Sequence, residues 1–159
     1  MPGYLPISEE LSELLSLLNS HEVEFLVVGA HALAFYGVPR FTEHIDFFVA
    51  KTEQNIDRLA HALEEFGISV PESSRREMVS KDRGVMFIGQ KPNRAGFLTC
   101  LDGIEFGSAA QSKVPGVVAD QPVYFISLED YVLTKKASGR VKDAGDLAML
   151  KTVHPEIVI

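Results

Sequence analysis

The chain has 159 residues, 46% of them hydrophobic and 23% charged, which suits one globular domain with a real core and excludes the disordered and fibrous classes. Its formal net charge of −7 argues against a strong footprint for duplex nucleic acid, because neutralising phosphates takes clustered Lys and Arg.

In chain order, Ser8 followed by Glu9 and Glu10 reads as a helix start, and Leu11, Leu14, Leu15 and Leu18 form the apolar stripe of that helix. Phe25 to Val28 is a continuous apolar run closed by Gly29, the pattern of a central strand buried on both faces. Ala30 to Tyr36 reads as a short helix stopped by Gly37, with Pro39 just beyond. The next strand runs from His44 to Ala50 and puts His44 and Asp46 on one face, with Ile45, Phe47, Val49 and Glu43 on the other.

Thr52 is placed to cap a helix whose Ile56, Leu59, Leu63 and Phe66 share a face before Gly67 ends it. Pro71 to Asp82 is polar and charged, and is expected to be a surface loop or a short irregular helix. Val85 to Ile88 and Phe97 to Cys100 read as two strands joined through Lys91, Pro92, Asn93 and Arg94, an antiparallel pair at a sheet edge. Cys100, the one cysteine, excludes an internal disulfide and is expected to be a small core residue. Val123 to Ile126 is a further strand. Ser127 then caps a helix from Leu128 to about Ser138, Asp130 completes a capping-box-like start, and Gly139 separates this helix from a last one over Val141 to Lys151.

The expected architecture is a single α/β domain over residues 1–159 with a mixed sheet flanked by helices. No apolar run approaches bilayer length, and Met1 to Glu10 has no basic region followed by an apolar one, so a cytoplasmic location without membrane contact is expected.

Two constellations carry chemistry. In the first, Gly29 and Ala30 lie at a strand-to-helix junction whose backbone N–H groups suit an anion. Arg40 either grips a phosphate or ties its loop to a helix carboxylate, and Thr42 either bonds a phosphate or caps the turn. His31 either bonds nearby backbone or faces the cleft, and reads first as neutral and structural. The pair His44 and Asp46 has metal-ligand spacing, with an imidazole where a hard cation prefers oxygen. In the second, Lys135, Arg140, Lys142, Asp143 and Asp146 cluster across a helix break. They form either an internal salt-bridge network or a lysine aimed at a triphosphate and oriented by Asp143 and Asp146.

In this order the two blocks resemble the nucleotidyltransferase superfamily, in particular small bacterial proteins of the AbiEii toxin type. The first block is Gly29-Ala30 followed by Arg40-Phe41-Thr42-Glu43-His44-Ile45-Asp46, where relatives have Arg-x-Thr-x-Asp-x-Asp. The second is Leu128-Glu129-Asp130, Lys135, Ala137-Ser138-Gly139-Arg140, Lys142-Asp143 and Asp146. The core motifs occupy residues 23–50 and 85–151. The resemblance implies transfer of a nucleoside monophosphate from a nucleoside triphosphate to a hydroxyl, with two metal ions held by the Asp-x-Asp pair and a third acid.

Against that pattern His44 replaces the first Asp, and Gly96 in Arg94-Ala95-Gly96-Phe97-Leu98-Thr99 aligns with the third acid. The resemblance therefore implies catalytic roles for Asp46, His44 and Lys135, nucleotide contacts from Gly29, Ala30, Arg40, Thr42 and Arg140, and a weak or absent divalent metal. That metal is Mg²⁺, or Mn²⁺ or Zn²⁺ if His44 ligates. Three readings follow. They are a nucleotide-binding protein with impaired transfer, an active enzyme with a rebuilt metal site, and an antitoxin-like regulatory subunit kept for its surface. A chain this small leaves little room for an acceptor-binding domain, so a homodimer or a separate protein partner is expected to complete the cleft.

Overall fold

The computed structural model describes residues 5–39, 41–90 and 94–159, with side chains from residue 9 onward. One six-stranded mixed sheet organises the chain, in the order β3-β4-β2-β1-β6-β5. Its strands are β1 (Phe25–Val28), β2 (His44–Val49), β3 (Val85–Ile88), β4 (Arg94–Leu98), β5 (Val114–Val118) and β6 (Gln121–Phe125). The pairs β1–β2, β3–β4 and β5–β6 are antiparallel, while β1–β6 and β2–β4 are parallel. The α/β class with a mixed sheet is as expected, and β1 is internal and buried at every residue.

Phe47 and Phe48 project to opposite faces of β2, and both are fully buried, so the sheet is covered on both sides. Phe47 meets the rings of Phe25 and Phe97 at 5.4 and 5.2 Å between centroids. Phe48, on the face shared by His44 and Asp46, meets Phe106 at the start of α5 (Phe106–Gln111). α1 (Leu5–Ser20) packs on α3 (Glu53–Phe66) and β6, and α3 also on α4 (Glu72–Ser80). α2 (Gly29–Phe35) lies against β1 and β2, and α6 (Leu128–Ser138) packs against α7 (Val141–Val153).

Local chemistry explains the helix ends. Thr52 accepts a hydrogen bond from Asn55 N, Ser127 accepts one from Asp130 N, and Gly67 and Gly139 close α3 and α6 in the left-handed conformation. The α3 helix also carries a buried polar anchor. Asn55 accepts from Glu24 N at 2.7 Å and donates to Glu24 O and Ala50 O at 3.0 and 2.9 Å, joining the helix to the start of β1 and the end of β2.

Several expectations are corrected. The first helix begins at Leu5, so Ser8 lies within it and is not its cap. Residues 72–80 form a regular helix, because the buried Met78 gives this charged segment one apolar anchor. β4 begins at Arg94 and ends at Leu98, leaving Cys100 beyond the strand and partly buried beside Arg83 Nη1, 3.6 Å from its sulfur, rather than in the core. Lys91, Pro92 and Asn93, the expected turn, lie outside the described residues. α5 and β5 were not expected at all. No helix among the described residues is long and apolar enough to cross a membrane.

Candidate functional site

The ends of β1, β2 and β4 open into a cleft of about 850 Å³, closed on the far side by α6 and the start of α7. Gly29, Ala30, Thr42, His44, Asp46, Lys135 and Arg140 all line it. Residues separated by more than a hundred positions in sequence thus meet around one space. Arg40 lies outside the described residues.

Asp46 occupies the floor. The strand alternation that puts it beside His44 holds, with His44 Nε2 3.5 Å from Asp46 Oδ2. Its neighbours across the sheet are Val28 on β1 and Gly96 on β4. A Cβ placed on Gly96 would lie 2.9 Å from Asp46 Oδ1, and one placed on Gly29 would lie 2.7 Å from Oδ2. The carboxylate therefore crowds both positions, and at Gly96 the Phe87 ring does so as well, 3.0 Å from the same Cβ. Gly29 also has φ +67°, a conformation that residues with a Cβ rarely adopt. Its identity is explained on both counts without an anion.

Burial pushes the Asp46 carboxyl up from its ordinary value, against the opposing pull of His44, Lys142, Lys135 and Arg94. His31 is lowered, first by burial and then by His44, so it is neutral at physiological pH. Thr42 caps the turn: its hydroxyl donates to His44 O at 3.0 Å. Glu43 precedes the first residue of β2, so strand alternation does not apply to it, and it lines the same cleft as Asp46. That corrects its expected place on the opposite face.

The facing wall carries cations paired with buried carboxylates. Lys135 Nζ lies 3.0 Å from Asp143 Oδ1 and 3.5 Å from Asp146 Oδ2, and Arg140 Nε donates to Asp143 Oδ2 at 2.9 Å. Burial works to raise the Asp143 carboxyl, but hydrogen bonds from Arg140, Ser138 and Lys135 outweigh it and hold the group well below the usual carboxylate range. A buried Asp143, ionised at neutral pH, thus fixes both cations, with Asp146 also against Lys135. The salt-bridge network and the lysine facing the cleft are one arrangement.

Lys142 of the second constellation lines the cleft with the rest of its block, and so do Asp102 and Arg83, of which Arg83 is not singled out by sequence reasoning. Arg83 Nη1 and Asp102 Oδ1 pair at 2.9 Å. Only the fold brings them there, since β3 and β4 must first be paired.

The donors suit a metal poorly. Two ligands of one tetrahedral ion stand about 3.4 Å apart, so His44 and Asp46 match a single borderline ion in spacing. Gly29 and Gly96 add no donor on either side of Asp46. Among the described residues no three His, Cys, Asp or Glu side chains gather into a metal-binding group. Two Mg²⁺ ions, which demand near-octahedral oxygen coordination, do not fit this set.

In sequence comparison, the protein family described as nucleotidyl transferase AbiEii toxin, type IV TA system, matches residues 14–157. Comparison with curated proteins returned no match.

Proposed function

The chain belongs to the AbiEii nucleotidyltransferase toxin family, and on that premise we propose that it binds a nucleoside triphosphate in this cleft while metal-dependent nucleotidyl transfer is weakened or lost. The observation that carries the reading is the surroundings of Asp46, which has His44 two residues before it and glycine at both packed neighbours, Gly29 and Gly96. A two-metal transfer needs carboxylates at positions 44 and 96 to gather both cations.

In this reading Lys135 and Arg140 supply counter-charge to the phosphates from the facing wall, held by Asp143. Gly29 and Ala30 allow close approach of the phosphates to the backbone, Thr42 shapes the turn beside His44, and Arg40 is assigned to the phosphates by its place in the motif. The apolar stretch of Val85, Leu98 and Leu101 offers a surface for the base or the acceptor. The family's toxin–antitoxin character supports a protein partner encoded with it.

A second reading is favoured by the His44–Asp46 spacing alone: one Mn²⁺ or Zn²⁺ held by these two residues, with the nucleotide's own oxygens completing its shell. Transfer of α-phosphate label from ATP, GTP, CTP and UTP separates the two. The first reading expects transfer near background with Mg²⁺ and with Mn²⁺ or Zn²⁺. Transfer with Mn²⁺ or Zn²⁺ that His44→Ala abolishes would establish the second, and robust Mg²⁺-dependent transfer would sink both.

A further inference from the structure

In a cleft built to hold metal ions, the acidic residues that bind the ions also repel the phosphates, and the ions cancel that repulsion. His44 and Gly96, each standing where the resemblance expects an acid, change both sides of this balance. Without carboxylates at positions 44 and 96 the floor keeps Asp46, with Glu43 and Asp102 elsewhere on the lining, so it both attracts cations and repels a polyphosphate less than a full acidic triad would.

The cations that remain are arranged for such a guest. Lys135 and Arg140 are fixed in place by Asp143, with Lys135 largely enclosed at 13% exposure. Lys142 lines the same cleft, is exposed, and makes no ion pair within 4 Å among the described residues. It precedes Asp143 in the first turn of α7, so the same packing that seats Asp143 sets its position.

We infer that the cleft takes its triphosphate as the free polyanion, without a divalent cation, and that Lys142 makes the phosphate contact a metal ion would otherwise supply. The inference rests on the nucleotide-binding reading above and adds to it the form of the ligand. Asp46 then acts as a residual source of repulsion rather than as a ligand.

Calorimetric titration of the whole protein with inorganic triphosphate and with each of the four nucleoside triphosphates, in EDTA and again in excess Mg²⁺, tests it. Binding should persist in EDTA and should not tighten with Mg²⁺. Lys142→Ala should weaken binding in EDTA about fivefold, through loss of a charge-assisted contact. Asp46→Asn should tighten it about threefold, the worth of one unit charge several ångströms away in a wet cleft.

The sign of that last effect is decisive, because a metal-held ligand would bind the Asn variant less well. Binding that requires Mg²⁺ and weakens in Asp46→Asn would overturn the inference and leave nucleotide binding standing. Absence of binding in either condition would overturn nucleotide binding itself. Asn is close to isosteric with Asp and fits between the two glycines. Should that variant fold poorly, Lys142→Glu on the exposed side of α7 carries the test, with loss of binding in EDTA expected and retention overturning the inference.

Discussion

Asp46 and Gly96 face one another across the parallel pairing of β2 and β4, and a side chain at position 96 would bring its first carbon within 2.9 Å of the Asp46 carboxylate. Restoring an acid at position 96 is therefore a packing problem before it is a charge problem. Gly96→Ala should cost about 1–3 kcal/mol in chemical denaturation, as overpacking of a well-filled site does. Asp46→Ala in the same chain should recover part of that cost, the remainder coming from the Phe87 ring, which the same Cβ would meet at 3.0 Å. Strict additivity of the two substitutions would show that the contact is not the cause.

Gly29→Ala should be worse than Gly96→Ala. It meets the other oxygen of the same carboxylate and adds backbone strain at φ +67°. Truncating Asp46 should relieve only the steric part. Full rescue by Asp46→Ala would contradict the assignment of strain.

Asp143→Asn should destabilise the fold by about 2–3 kcal/mol, less than the rupture of a wholly enclosed pair, because Arg140 is exposed and Lys135 opens to the cleft. The native carboxyl titrates below its unfolded value, so its contribution is complete above about pH 4–5 and fades as pH falls towards the folded value. Acid unfolding curves of the wild type should show this loss, and the Asn variant should show a shallower one. An unchanged acid limb would remove Asp143 as the reason Lys135 and Arg140 hold their positions.

Tyr36 donates its hydroxyl to Ile126 O at 2.6 Å, at the edge of the cleft, and its phenol is pushed up to about 12 by burial, with Glu129 and Asp130 adding to the effect. Tyr36→Phe should lower stability by about 1 kcal/mol at neutral pH. The stabilisation is present below about pH 10 and is lost as pH rises through the folded value. Ultraviolet titration should lose its latest phenolate step in the variant, and retention of that step would reassign it.

Much of the frame was legible because short-range rules and burial agreed. Phe25 to Gly29, the Thr52 and Gly67 ends of α3 and the Ser127 and Gly139 ends of α6 each combine an apolar pattern with a capping residue. β5 escaped notice because Pro115 and Gly116 argue against a strand. Pro115 is tolerated at the sheet edge, and Gly116 is needed there because a Cβ would come within 2.5 Å of the Phe125 ring.

The pairing of His44 with Asp46 follows from two-residue spacing and was open to sequence reasoning. The steric duties of Gly29 and Gly96 were not, since both depend on which way one carboxylate points. Arg83 reaches the cleft only through strand packing that has no local signature, whereas Lys142 comes with the motif it shares with Asp143.

Asn55 holds the start of β1 and the end of β2 with one side chain, at the end of the strand pair away from the cleft. A slip of a single residue between these strands would turn Asp46 to the opposite face of the sheet and bring Ile45 or Phe47 into the cleft. The buried amide of α3 thus sets the handedness of the site from a distance: it decides which alternate residues of β2 meet a ligand, though it touches none of them.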